Sequence, residues 1–287
     1  MDIWPNFFIV GAPRAGTTTL YDILNRTHGI YMSRIKEPHY FSKINKSKLY
    51  PPPIRNKEKY LALFRNVKDE KAIGEASTSY IGDPYSPKLI HDIIPDARII
   101  MILRDPINLA YSWYLFRVGY GKTYSFAEAI QESLENPEDY TKRVTISSGY
   151  YSSQVKRYLD TFDEEKLKVL IFEEFIGDPQ RIVKQVFTFL GVKEDPPEYR
   201  KLIHNIITEP RGKISISLLQ NQTIKKFVRK VIPPDISVFT VRKILGKKIS
   251  KPKMSEKDRL FLKNHYKDDV KELEGILKHK VPWPNFK

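Results

Sequence analysis

Cysteine is absent from all 287 residues. A disulfide framework and a thiolate metal site are therefore excluded, and the composition fits a reducing compartment. No apolar run approaches the length of a membrane span. The N-terminus lacks the basic stretch and long apolar core of a signal peptide, because Ile3 to Val10 is short and leads straight into a motif. The expected location is cytoplasmic. Internal repeats and low-complexity tracts are missing too. His28, His91, His204, His265 and His279 show no metal-ligand spacing, and no metal site is expected. Acidic residues are in short supply, 34 against 49 Lys and Arg, for a net charge of +15. That balance points to anionic partners: nucleotides, sulfated or phosphorylated polymers, nucleic acid or an acidic membrane surface.

What is present is an alternation of strands and helices. Apolar runs of strand length stand at 7–10, 98–103 and 167–172, with shorter ones at 30–32 and 72–75. Helical patterns lie between and after them, at 18–27, 57–66, 86–94, 126–135, 151–162 and 179–190, and Asp105-Pro106 caps another. The alternation predicts an α/β, P-loop-like fold of three layers, a central, mostly parallel sheet flanked by helices. A single domain over 1–287 is expected. After Gly191 no further strand is predicted. Arg211 to Lys251 holds eleven Lys or Arg against one acid, Asp235, and 255–277 reads as a long amphipathic helix. The part from about 192 to 287 is thus expected to be helical and basic.

The stretch Phe7 to Leu24, FFIVGAPRAGTTTLYDIL, carries the chemistry. A strand runs into a glycine-containing turn and then a helix, so backbone N–H groups and the helix N-terminus converge on one point. Thr17 and Thr18 add hydroxyls. A nucleoside triphosphatase needs a lysine after the second glycine, with a hydroxyl for magnesium. Thr17 stands at that place, so the loop is expected to bind phosphate without a metal, with Arg14 supplying charge. A dinucleotide fingerprint is missing as well.

GAPRAGTTTL at 11–20 followed by ILRDPINLAYSWY at 102–114 resembles the paired signature of the sulfotransferase superfamily. The segment IKEPHYF at 35–41 is similar to the one carrying the catalytic glutamate in its heparan-sulfate-like, carbohydrate-acting branch. Further similarity lies in Gly149–Tyr151, in KVLIFEEF with DP behind it, in FLGV at 189–192 and in TEPRGKIS at 208–215. The resemblance implies 3′-phosphoadenosine 5′-phosphosulfate (PAPS) as co-substrate and adenosine 3′,5′-bisphosphate (PAP) as product. Arg14, Ala15, Gly16, Thr17 and Thr18 would then hold the 5′ end. Arg104 and Ser112 would hold the 3′-phosphate, and Arg211, Gly212 and Lys213 would close over the nucleotide. Ala76 replaces a lysine carried there by glycosaminoglycan 3-O-sulfotransferases.

The resemblance makes Glu37 the candidate general base, with His39 as the alternative and Arg14 neutralising the leaving phosphate. In a strand-like segment Glu37 and His39 would share a face while Lys36 points away, and a pocket that raised the carboxyl pKa would make Glu37 an effective base. Glu75 and Ser77 are candidates to contact substrate or support the base. The acceptor is expected to be a small molecule or oligosaccharide, polyanionic in keeping with the +15 charge. Two other functions stay open on composition: a basic nucleic-acid-binding module, which lacks a recognised motif, and a phosphate-loop kinase, opposed by Thr17.

Overall fold

The computed structural model describes residues 2–45, 49, 51–119, 124–193, 208–210, 246–248 and 253–287. Five parallel strands make the central sheet: β1 (Phe7–Gly11), β2 (Ile30–Met32), β3 (Ala72–Ala76), β4 (Arg98–Leu103) and β5 (Leu167–Ile171), in the order β2-β3-β1-β4-β5. Phe7 to Val10 have no exposed surface, nor do Ile99 to Leu103. Strands sealed on both faces need no polar alternation, hence the continuous apolar runs in the sequence. Each such side chain contributes about 1.5–3 kcal/mol on burial.

Helices α1 (Thr17–Leu24), α2 (Lys57–Leu61), α3 (Ser86–His91) and α4 (Pro106–Val118) alternate with these strands. Then follow α5 (Phe126–Glu135), α6 (Tyr140–Ser147), α7 (Tyr151–Leu159), α8 (Phe172–Gly177), α9 (Pro179–Leu190) and α10 (Glu256–Leu277). Strand β1 sends its crossover to β2 on one side, whereas β4 lies on the other. The order therefore reverses between β1 and β4, and the crevice at their carboxyl ends is where such sheets hold ligands.

Helix α10 ties the end of the chain to this crevice. The Asp269 carboxylate accepts from the Tyr151 N–H (2.8 Å) and the Ser152 hydroxyl (2.6 Å) at the start of α7. Trp283 is fully buried and donates through Nε1 to Glu173 (3.0 Å), while Asn285 donates to Asp105 (2.6 Å). Asp105 itself caps α4, accepting from the N–H groups of Ile107 and Asn108.

Two expectations need correction. Strands β6 (Thr208–Pro210) and β7 (Gly246–Lys248) pair antiparallel, although no strand was expected beyond Gly191. Three residues of TEP or GKK cannot display an apolar period, so nothing in the sequence marks them. Helix α6 was not anticipated either. Its sequence YTKRVTIS mixes β-branched with charged residues, and the Asp139 cap on Thr141 supplies its local start signal. Among the described residues no helix is long and apolar enough to cross a membrane.

Candidate active site

The loop after β1 turns into α1 at Gly16. Gly16 caps α1 in the left-handed region, at φ 87°, and a Cβ there would lie 3.1 Å from the Phe172 ring. Conformation and space both call for glycine. The Phe172 ring also carries the Arg104 guanidinium, 4.6 Å from its centroid. Phe172 thus wedges between the loop after β1 and the segment after β4, and Arg104, just past β4, reaches across to donate to the Arg14 carbonyl (2.8 Å).

Arg14 has a positive φ of 64°, which turns its side chain toward α4. There its Nε donates to the Ser112 hydroxyl (3.3 Å) and its guanidinium lies 4.8 Å from the Phe116 ring centre. Ser112 and Phe116 are four residues apart and share a helix face. Arg14, Arg104 and Ser112 are therefore brought together, with Arg14 as the link. The Arg104 Nε is buried without a protein partner. Burial pulls its pKa below the ordinary guanidinium value, against the opposing pull of Glu173, Tyr151 and Asp105. An orphaned donor on a permanent charge fits an anion. Thr17 and Thr18 open α1, Thr17 buried and Thr18 exposed, and Ala15 is buried beneath the loop. Arg211, Gly212 and Lys213 lie outside the described residues.

The second half of the site is built at the end of β3. Ser33 N–H donates to Gly74 and Glu37 N–H to Ala76, so the 33–41 segment follows that strand. It is not a strand itself. Glu37 and His39 have φ of 63° and 52°, both left-handed, flanking Pro38. The shared face expected of an extended segment is absent, yet the two side chains still meet, with His39 Nε2 3.6 Å from Glu37 Oε2. Lys36 does not point away: its ammonium donates to Glu37 Oε1 at 2.7 Å. The other carboxylate oxygen accepts from the Thr78 N–H (2.8 Å), and the Thr78 hydroxyl approaches both oxygens.

These contacts reverse the expected direction of the Glu37 pKa. Burial pushes it up, but the charge of Lys36, the adjoining His39 ring and the donors on Lys36 and Thr78 outweigh that, and the carboxyl sits below its ordinary value. Glu37 is ionised at neutral pH. His39 moves down because its ring is buried, and Lys36 and Arg55 add to this against the pull of Glu37, so it is neutral. Its Nδ1 lies 2.8 Å from the Ser79 hydroxyl, while Nε2 is buried without a hydrogen-bond partner.

Sequence reasoning missed Lys36 and Thr78 as partners of Glu37, and Phe172 beneath Arg104. It also missed Tyr140 on α6, whose phenol is pushed up by burial and further by the charge of Glu37 nearby. The hydroxyl-rich run STSY at 77–80 was the available signal, since small donors just past a sheet strand suit a polar site.

Glu75, at the end of β3, has no exposed surface, and desolvation lifts its pKa to about 7 despite hydrogen bonds from Ser77, Tyr80 and Tyr60. The folded value exceeds the ordinary 4.5, so the native state holds a proton that the unfolded chain has lost between those values. Glu75 therefore contributes stability that is full below pH 4.5 and lost as pH rises through about 7. Urea unfolding at pH 5 and pH 8 should show the gap between wild type and Glu75→Gln moving by up to about 3 kcal/mol against wild type. A gap independent of pH would mean that Glu75 does not titrate in this range.

A family model described as "Sulfotransferase domain" matches residues 5–274. Over 99% of its length the chain is 26% identical to mouse "Bifunctional heparan sulfate N-deacetylase/N-sulfotransferase 4", of which it covers 32%. It is 28% identical to human "Carbohydrate sulfotransferase 15" over 66% of this chain and 44% of that protein. The chain thus spans less than half the length of these curated relatives. Among solved structures, a sulfotransferase from Alicyclobacillus acidocaldarius superposes with a TM-score of 0.73 at 28% identity, covering 97% of this chain and 98% of that one. Mouse SULT7A1, solved with PAP, shares the fold with a TM-score of 0.54 at 15% identity, over 96% of this chain and 88% of its own.

Proposed function

The chain belongs to the sulfotransferase domain family, and on that premise we propose that it moves the sulfuryl group of PAPS to a hydroxyl or amine of a carbohydrate acceptor. The observation that carries this is the convergence of Arg14, Arg104 and Ser112 at the β1/β4 crevice, with the Arg104 Nε buried and unpartnered. Two guanidinium groups on adjacent strand ends, beside a glycine turn at a helix N-terminus, suit a nucleotide with two separate phosphate groups. The carbohydrate acceptor follows the names of the relatives, a heparan sulfate enzyme and a carbohydrate sulfotransferase.

PAPS supplies an activated sulfuryl group on a phosphate leaving group. Arg14, Ala15, Gly16, Thr17 and Thr18 would hold its 5′ end, Arg104 and Ser112 its 3′-phosphate, with Arg211, Gly212 and Lys213 as further contacts. Transfer of this type passes through a loose, in-line transition state in which positioning and charge neutralisation dominate. Arg14 cannot give up a proton near neutral pH, so it acts by charge and hydrogen bonding on the departing phosphate. Glu37 takes the acceptor proton. Being ionised already, it needs no prior deprotonation, and its low basicity is tolerable where the nucleophile loses its proton late. His39 offers a second route, because its neutral Nε2 has no partner and lies beside Glu37.

Calorimetric titration with PAP in the absence of magnesium tests the reading, and micromolar binding is the expected result. Tighter binding to a generic DNA duplex with a steep salt slope would favour a nucleic-acid module instead. A magnesium requirement for adenosine triphosphate would favour a kinase.

A further inference from the structure

We propose that Glu75 is a positioning residue: its ionised carboxylate claims the hydroxyl protons of Tyr60, Tyr80 and Ser77, and thereby turns two hydroxyl oxygens toward the backbone of the loop that carries Glu37 and His39. This rests on the reading of Glu37 or His39 as the base.

The argument is one of proton counting. Above about pH 7, where Glu75 has lost its proton, its carboxylate only accepts, and a hydroxyl has a single proton to give. Tyr60 and Tyr80 donate to Glu75 Oε1 at 2.9 and 2.7 Å, and Ser77 donates to Oε2 at 2.7 Å. With their protons committed, the Ser77 and Tyr80 oxygens have only lone pairs to offer. Those lone pairs accept from the N–H groups of His39 (3.0 Å) and Phe41 (3.2 Å).

The loop depends on such partners. Its backbone is left-handed at Glu37 and His39 and has no ladder of its own, so its N–H groups need acceptors from 76–80. Were Ser77 or Tyr80 to turn a proton toward the loop, two donors would face each other and the loop would be pushed away from β3. A glutamine at position 75 brings this about on one side, because its amide puts an NH2 donor in place of one carboxylate oxygen and keeps a carbonyl acceptor in place of the other. Three hydroxyls around one buried carboxylate thus set the polarity of a loop that Glu75 reaches only through Ser77 and Tyr80.

Residue-resolved amide hydrogen exchange on the intact chain at pH 8, where Glu75 is ionised, tests this without any acceptor. Glu75→Gln should speed exchange about tenfold at the amide of His39 or of Phe41, according to whether Ser77 or Tyr80 faces the new NH2, while Ile9 and Ile100, in the core strands, exchange as in wild type. Ser77→Ala should affect His39 and spare Phe41, and Tyr80→Phe should do the reverse. If Glu75→Gln fails to fold, Glu75→Asp, which keeps the charge and shortens its reach, takes its place with the same expected pattern. Wild-type exchange at both loop amides, or equal acceleration of the core amides, overturns the proposal. PAP affinity should be unchanged in Glu75→Gln. In sulfuryl transfer to N-deacetylated heparosan, its loss of kcat should vanish in a Glu37→Gln background, whereas a purely structural loss would persist. Wild-type turnover in both Glu37→Gln and His39→Asn would remove the base reading and leave the exchange result standing.

Discussion

Arg104→Ala is expected to cost PAP roughly 10–100-fold in affinity, the equivalent of a charge-assisted contact of about 1.5–3 kcal/mol. Adenosine 5′-monophosphate, which lacks the 3′-phosphate, should lose much less. Its loss should not be nil, because Arg104 also donates to the Arg14 carbonyl and braces the 5′ loop. The informative quantity is therefore the ratio of the two affinities, measured by calorimetry on wild type and variant. A ratio that collapses assigns the orphaned Nε to the 3′-phosphate. Equal losses would leave Arg104 as a brace only. Lysine is not a conservative replacement here, since it can neither stack flat on Phe172 nor reach Arg14 and the phosphate together.

The two halves of the site differed in how far the sequence revealed them. The proposed phosphate half consists of two stretches that are each local. Strand β1, Gly16 and the start of α1 follow one another, as do β4, Arg104, the Asp105 cap and Ser112, so each stretch was legible by itself, while their joint role came from the family resemblance and they meet across 90 and 98 positions. The sheet was legible for the same reason, since buried parallel strands announce themselves as unbroken apolar runs. The half around Glu37 and His39 is assembled from partners 38 to 41 positions apart: His39 with Ser77, Glu37 with Thr78. Hydroxyls carry no periodic signature, and left-handed backbone at a glutamate and a histidine has no sequence mark. The extended reading of 35–41 failed on that point, and with it the expected direction of the Glu37 pKa. A lysine adjacent in an extended strand points to the opposite face, whereas in this turn Lys36 folds back onto the carboxylate.

Glu37→Gln is expected to lower turnover by about 10²–10⁴-fold, the usual worth of a positioned base, with PAP affinity near wild type. The proposed nucleotide groups Arg14, Arg104 and Ser112 form a hydrogen-bonded set of their own, which the change at Glu37 does not enter. Glutamine keeps the size of the side chain and can still accept from the Thr78 N–H, but it gives up the charge that holds Lys36. Lys36→Ala is the control for that second effect, because it frees the ammonium's site while leaving the carboxylate in place. If Glu37 is the base, Lys36→Ala should raise its pKa and move the acid limb of kcat to higher pH, since the ion pair is among the contacts that hold the carboxyl down. His39→Asn should cost less than Glu37→Gln, because its Nδ1 is engaged with Ser79 and its ring then serves to orient the neighbouring carboxylate. The reverse order, with His39→Asn abolishing turnover and Glu37→Gln keeping most of it, would transfer the role to the unpartnered His39 Nε2. In that case the acid limb would belong to an imidazole that burial holds below its ordinary value, and Lys36→Ala would move it upward too. The identity of the base therefore follows from which single variant removes the limb, and the Lys36 shift shows that the limb belongs to this pair.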